Sequence, residues 1–137
     1  MPLEFCEQPP EPAAFKSLYD STGWGPRERT VAFYAEALAG SWACCAAYED
    51  GQLLGFGRLV SDGRLHAYVN EMIVLPGHQG RGVGREILRR LLARCQAAGI
   101  EDIQLFAARG KSGFYAAQGF GPRPEDAPGM QYRPLLP

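Results

Sequence analysis

The segment Gly77–Glu86, GHQGRGVGRE, sets four glycines and two arginines between one apolar run and the next. Those residue types suit an anion. The first turn of a helix presents backbone N–H groups without internal partners, together with the positive end of the helix dipole. Phosphates are the usual occupants of such a site. Gly80, Gly82 and Gly84 let a ligand approach the backbone closely, and Arg81 and Arg85 offer charge-assisted bonds to phosphate oxygens. A Walker P-loop needs G-x-x-x-x-G-K-[ST], which is absent. A dinucleotide fingerprint needs a third glycine where Arg85 stands. The bland alternative is a tight turn with solvated arginines. Three glycines at alternate positions exceed what a turn needs and cost helix propensity.

Positioning that segment requires a strand before it and a helix after it. Leu65 to Leu75 reads as the strand, ended by Pro76. Val83, Ile87, Leu88, Leu91, Leu92 and Cys95 form one apolar stripe of a helix, with Gly99 as its stop. Two more strand-like runs precede them, Trp42 to Tyr48 and Leu53 to Val60, joined by Asp50-Gly51, a strong hairpin signal. Asp62-Gly63 leads into the third, so the three predict an antiparallel meander. Ile103 to Ala107 then follows a strand and a helix, which predicts a parallel βαβ pair. Upstream, Leu3 to Cys6 reads as a short strand, Pro12 to about Asp20 as a helix, and Glu28 to Ala39 as another. Downstream, Gly113 to Gln118 reads as a short helix and Met130 to Arg133 as a last strand.

Composition narrows the class. The chain has 137 residues, 46% apolar and 21% charged, with net charge −1. These values predict one soluble domain spanning residues 1–137. No broad basic surface for nucleic acid is implied, and no run approaches the roughly 20 apolar residues that span a bilayer. The N-terminus lacks a basic region followed by an apolar one, so a cytoplasmic protein is expected. Cys6, Cys44, Cys45 and Cys95 show no C-x-x-C and no metal spacing, which predicts reduced thiols and no metal site.

Gln79-Gly80-Arg81-Gly82-Val83-Gly84 resembles Q/R-x-x-G-x-G/A, the acyl-coenzyme A signature of the GNAT superfamily of N-acetyltransferases. Phe114-Tyr115-Ala116-Ala117-Gln118-Gly119-Phe120 resembles the F/L-Y-x-x-x-G-F of that family's last helix. Two motifs about 30 residues apart, in the expected order, are more specific than either alone, and the element order fits over nearly the whole chain. The resemblance implies a mixed α/β (α+β) fold. A mostly antiparallel central sheet is flanked by helices, with the parallel βαβ unit at the cofactor site.

The resemblance also assigns roles. The pyrophosphate of acetyl-coenzyme A would sit on the loop formed by Gln79, Gly80, Arg81, Gly82, Val83, Gly84 and Arg85. The pantetheine arm would pair with the backbone of Met72, Ile73 and Val74, where one amide would act as an oxyanion donor. Tyr115 would protonate the leaving thiolate. Glu71, an acid in an otherwise apolar strand, is the candidate base, directly or through a water. The alternatives are that Glu71 pairs with an arginine such as Arg58, or that His66 or His78 serves instead. Tyr68 and Asn70 are candidates to line the same cleft. Phe15, Trp24, Tyr34, Arg123 and Met130 are candidates to shape the acceptor pocket. The family's pantetheine-binding Asn has no counterpart in Ala107 to Gly113, so Arg109, Lys111 or Ser112 is the expected substitute.

The expected activity is N-acetyl transfer from acetyl-coenzyme A to a primary amine of a small molecule or peptide, by direct attack in a ternary complex. The other class kept open is a non-catalytic acyl-coenzyme A-binding sensor or interaction module. The last strand would offer an edge for a homodimer, and the sequence does not choose between monomer and dimer.

Overall fold

The structure, a computed structural model, describes residues 2–133. Its described residues form a first unit that runs to Leu105 and a second that begins at Phe106. The first unit carries β1 (Glu4–Cys6), α1 (Pro12–Asp20), α2 (Val31–Ala39), β2 (Ala43–Glu49), β3 (Gln52–Ser61), β4 (His66–Val74), α3 (Val83–Ala98) and β5 (Asp102–Leu105). The second carries α4 (Ser112–Ala117).

Local chemistry sets these bounds. Pro12 opens α1, where a missing N–H costs nothing. The second helix begins at Val31 rather than Glu28 because Thr30 caps it, its hydroxyl accepting the Phe33 N–H at 3.0 Å. Asp50 and Gly51 both take positive φ, 52° and 78°, as a two-residue hairpin between β2 and β3 demands. Asp62 Oδ1 accepts the N–H groups of Arg64 and Leu65 at 2.8 and 2.7 Å and fixes the turn into β4. At the far end of α3, Ile100 N–H reaches back to the Cys95 carbonyl at 3.0 Å around Gly99, which closes the last turn.

The five strands lie in the order β1-β2-β3-β4-β5. The first four run antiparallel, and β5 pairs parallel to β4. Phe15, Leu18, Tyr34 and Leu38 of α1 and α2 pack with Cys44, Ala46, Phe56 and Ile73 on one sheet face. Helix α3 covers the other with Val83, Ile87, Leu88, Leu91 and Cys95. It comes close because β3 carries no side chain at Gly55 and Gly57. A Cβ at Gly55 would stand 2.8 Å from Val83 Cγ1, and one at Gly57 would stand 2.9 Å from Ile87 Cγ2 and collide with Met72 Sδ.

The expected strand over residues 130–133 does not form. That stretch is exposed and outside any regular element. Pro122, Pro124 and Pro128 fix φ and remove ladder donors on the approach to it. The sheet edge that a last strand would have offered is therefore missing among the described residues.

Candidate active site

The site begins with an irregularity in β4. Phe56 pairs with Ile73 and Arg58 pairs with Asn70, so two steps along β3 match three along β4. The extra residue is a β-bulge opposite Gly57, and Glu71 in it takes φ +50°. The bulge changes which face Glu71 occupies. Val69 pairs with Leu59, and Met72 lies against the Gly57 position on the α3 side, three residues further on. Asn70 and Glu71 are thus both left toward the α2 side. There Arg58 Nε donates to Glu71 Oε1 at 2.8 Å, and both side chains are less than a quarter exposed. The pairing of Glu71 with Arg58, one of the alternatives read from the sequence, is present.

The strand then runs on alone. β5 pairs with β4 only from His66 to Val69. From Asn70 to Val74, the stretch that holds Met72 and Ile73, no strand pairs with β4 on that side among the described residues. The chain next turns at Leu75, whose carbonyl accepts the His78 N–H at 3.0 Å. Gln79 Nε2 caps the Val74 carbonyl at 3.1 Å.

That turn delivers the chain to the N-terminus of α3. Gly82 is the N-cap at φ +80°, a left-handed conformation that favours glycine. It brings no side-chain cap, so the N–H groups of Val83, Gly84 and Arg85 lack the usual capping acceptor. A Cβ at Gly80 would meet nothing within 4 Å, and at Gly82 only the end of Arg85 at 3.9 Å. The loop backbone is therefore bare, as a phosphate cradle requires. Glu86, in the first turn, is tied to Arg89 and Arg90 at 2.7 and 2.8 Å, and their guanidinium groups hold its pKa down to about 2.

The arginines differ from one another. Arg81 makes a two-pronged contact with Glu49, at 2.7 and 3.2 Å, and lies 3.1 Å from His78 Nδ1. Arg85 is exposed in the first turn of α3. A phosphate here would meet Arg85 directly and would compete with Glu49 for Arg81.

The two histidines are placed elsewhere. His66 Nδ1 pairs with Asp102 at the opposite end of β4, five residues or roughly 16 Å of strand from Glu71. His78 faces Arg81. Tyr68 is exposed and Asn70 half-buried. Of the residues expected near an acceptor, Phe15 and Tyr34 are core, and the Tyr34 hydroxyl is buried without a hydrogen-bond partner among the described residues. Trp24 is half exposed against Tyr19. Cys44 and Cys45 are buried, which pushes both thiols up to about 11 and leaves them poor nucleophiles. No group of three metal-ligating side chains occurs among the described residues.

The second unit holds Tyr115. It is the buried residue of α4 and packs edge-on against Phe114 and Phe120, with ring centroids 5.0 and 6.0 Å apart. Burial raises its pKa above the ordinary 10. Arg109, Lys111 and Ser112 are exposed, and Arg123 Nε donates to the Ala127 carbonyl. Met130 is exposed.

A bulge where the fourth and fifth strands splay apart is what the GNAT resemblance implies; its place at Glu71 and the part played by Gly57 were not read from the residues. A glycine inside an apolar strand, just before an arginine, was the available signal.

Comparison with known proteins matches this arrangement. Residues 6–120 match the model of the acetyltransferase (GNAT) family. Histone acetyltransferase TAP1 of Glycine max is 31% identical over 130 residues, which is 87% of this chain and 55% of the relative. Serotonin N-acetyltransferase 2, chloroplastic, of Oryza sativa is 35% identical over 82 residues, 60% of this chain and 41% of the relative. The chain thus spans about half the length of these relatives. A probable acetyltransferase of Staphylococcus aureus superposes with a TM-score of 0.85 over 96% of this chain and 99% of its own, at 21% identity. Likeness at that identity carries the fold alone. With the bare glycine loop, the bulged strand and a family match over most of its length, the chain belongs to the GNAT family of acetyltransferases.

Proposed function

We propose that this chain moves an acetyl group from acetyl-coenzyme A to a primary amine, by direct attack with both substrates bound. One observation carries the reading. The unpaired stretch of β4 leads straight into the uncapped, glycine-lined N-terminus of α3. A ligand with an extended amide arm and a pyrophosphate would be held along both.

Acetyl-coenzyme A supplies the acetyl group as a thioester and leaves as the free thiol. The N–H groups of Gly80, Arg81, Gly82, Val83, Gly84 and Arg85 bind the pyrophosphate. The backbone of Met72, Ile73 and Val74 holds the arm as an added strand, and one amide there receives the thioester oxygen. Glu71 takes one proton from the acceptor ammonium, directly or through a water. The amine nitrogen then forms the new C–N bond as the C–S bond breaks. Tyr115 gives its phenolic proton to the departing sulfur, and the proton released from nitrogen restores the balance.

A second reading is a non-catalytic acyl-coenzyme A-binding module. It draws on the Arg58 ion pair, which occupies one oxygen of Glu71. The test separates the two. The protein is incubated with acetyl-coenzyme A and a panel comprising serotonin, spermidine, glucosamine, a histone tail peptide and a peptide with a free N-terminal alanine. Mass spectrometry expects coenzyme A release matched by one acetyl group on at least one amine. Tight coenzyme A binding with no acetylated product from any of them would contradict the enzyme reading and favour the binding module.

A further inference from the structure

We infer that Arg58 is the positioning residue of Glu71, and that it sets the carboxylate from the C-terminal end of α2. The inference rests on the reading of Glu71 as the base.

Glu71 sits in a conformation that few side chains favour. Among the described non-glycine residues only Asp50 and Glu71 have positive φ. Asp50 lies in a hairpin turn where the conformation is expected. Glu71 lies inside a strand, where it persists only if neighbours over-determine it. The bulge is what turns its side chain from the α3 face, where Val69 and Met72 lie, to the face of Arg58. Arg58 stands on the partner strand beside the bulge and meets the carboxylate there.

The guanidinium is divided between two tasks. Its Nε donates to Glu71 Oε1 at 2.8 Å. Its Nη1 donates to the Ala37 carbonyl at 2.6 Å and lies 3.3 Å from Ser41 Oγ. Ala37 is in the last turn of α2, where its carbonyl also accepts the Gly40 N–H at 3.1 Å and the negative end of the dipole favours a cation. Arg58 therefore ties three elements together: β3, the β4 bulge and α2. It holds one oxygen of the carboxylate only. Oε2 has no hydrogen-bond partner among the described residues, so it is the atom left to receive a proton or to bind the acceptor ammonium. Both side chains are largely shielded, at 17% and 23% exposure, so their geometry is fixed by packing rather than averaged in water. A lysine carries one compact ammonium and has no fork to span both tasks.

The test uses the full chain, acetyl-coenzyme A and the fastest acceptor from the amine panel. Arg58→Met is expected to lower kcat by about 10- to 100-fold, the scale of a misplaced catalytic group, with the KM for acetyl-coenzyme A unchanged. Glu71→Gln is expected to lose about 10²- to 10⁴-fold. The double variant should be no slower than Glu71→Gln, because Arg58 acts through Glu71. In Arg58→Ala, added methylguanidinium should restore part of kcat, which a purely structural role would not allow. Should Arg58→Met fail to fold, Arg58→Lys keeps the charge and decides the matter, with an expected loss in kcat and an intact melting transition. Wild-type kcat in Arg58→Met or Arg58→Lys, or losses that multiply in the double variant, would overturn the inference. Full activity in Glu71→Gln would instead remove the base reading on which it rests. An amine panel with no acetylated product contradicts the proposed function itself and takes this inference with it.

Discussion

In the proposed scheme Tyr115 and Glu71 are the two residues that move protons, and their surroundings differ. Burial raises the Tyr115 pKa, so its phenol stays protonated throughout the neutral range and keeps a proton to give. Tyr115→Phe is expected to lower kcat about 10²-fold while coenzyme A affinity, read by calorimetry, stays within a factor of about two. Collapse of affinity with kcat retained would assign Tyr115 to binding instead. In the loop, Gly82→Glu puts a carboxylate and a disfavoured left-handed conformation at the mouth of the cradle. Coenzyme A affinity should fall at least about tenfold, the effect of losing about 1.4 kcal/mol. At this scale the two motifs made the family legible from residue types and spacing. The Glu71 environment was legible only as alternatives. A bulge shifts the two-residue period by one, and partners 13 residues apart, such as Arg58 and Glu71, meet only once register is known.

Helix α3 is the element on which the site depends, and it rests on missing side chains. Gly55→Ala would place a methyl 2.8 Å from Val83 Cγ1 and 3.1 Å from Ile87 Cδ1. Val83 opens α3, so the change should loosen the cradle as well as the core. Denaturant titration should show a loss of about 1–3 kcal/mol, the usual cost of overpacking. Unchanged stability would mean that α3 shifts freely on the sheet. Charge at the same helix end gives a pH prediction. The Glu86 pKa falls from 4.5 to about 2 because Arg89 and Arg90 hold its anion. A lowered pKa gives stability that is present above pH 4.5 and is lost as pH falls toward about 2. Glu86→Gln should be less stable than wild type at pH 7, by under about 1 kcal/mol for so exposed a pair. The gap should close between pH 4.5 and 2, and a gap that persisted at pH 2 would contradict the assignment. Periodicity exposed α3 well before the structure, since its stripe and Gly99 stop agree. It overestimated α2, where the Thr30 cap rather than the apolar spacing sets the start, and it placed a strand at 130–133 that finds no partner.

At the scale of the molecule, a net charge of −1 means that anion binding must be local rather than a property of the whole surface. The β2-β3-β4 meander and the parallel β4–β5 pair were readable in advance, because hairpin turns and a βαβ connection constrain topology strongly, whereas the place of β1 beside β2 was not. In the proposed function, the unpaired stretch of β4 and the N-terminus of α3 hold acetyl-coenzyme A. The most direct test is thermal melting with acetyl-coenzyme A, with free coenzyme A and with NAD. At about 100 times the dissociation constant, a ligand bound only by the folded state adds about 2.7 kcal/mol, which raises the melting temperature by several degrees. Both coenzyme A species should give that rise, and NAD none. No shift with either at millimolar concentration, or an equal shift with NAD, would contradict the proposed function.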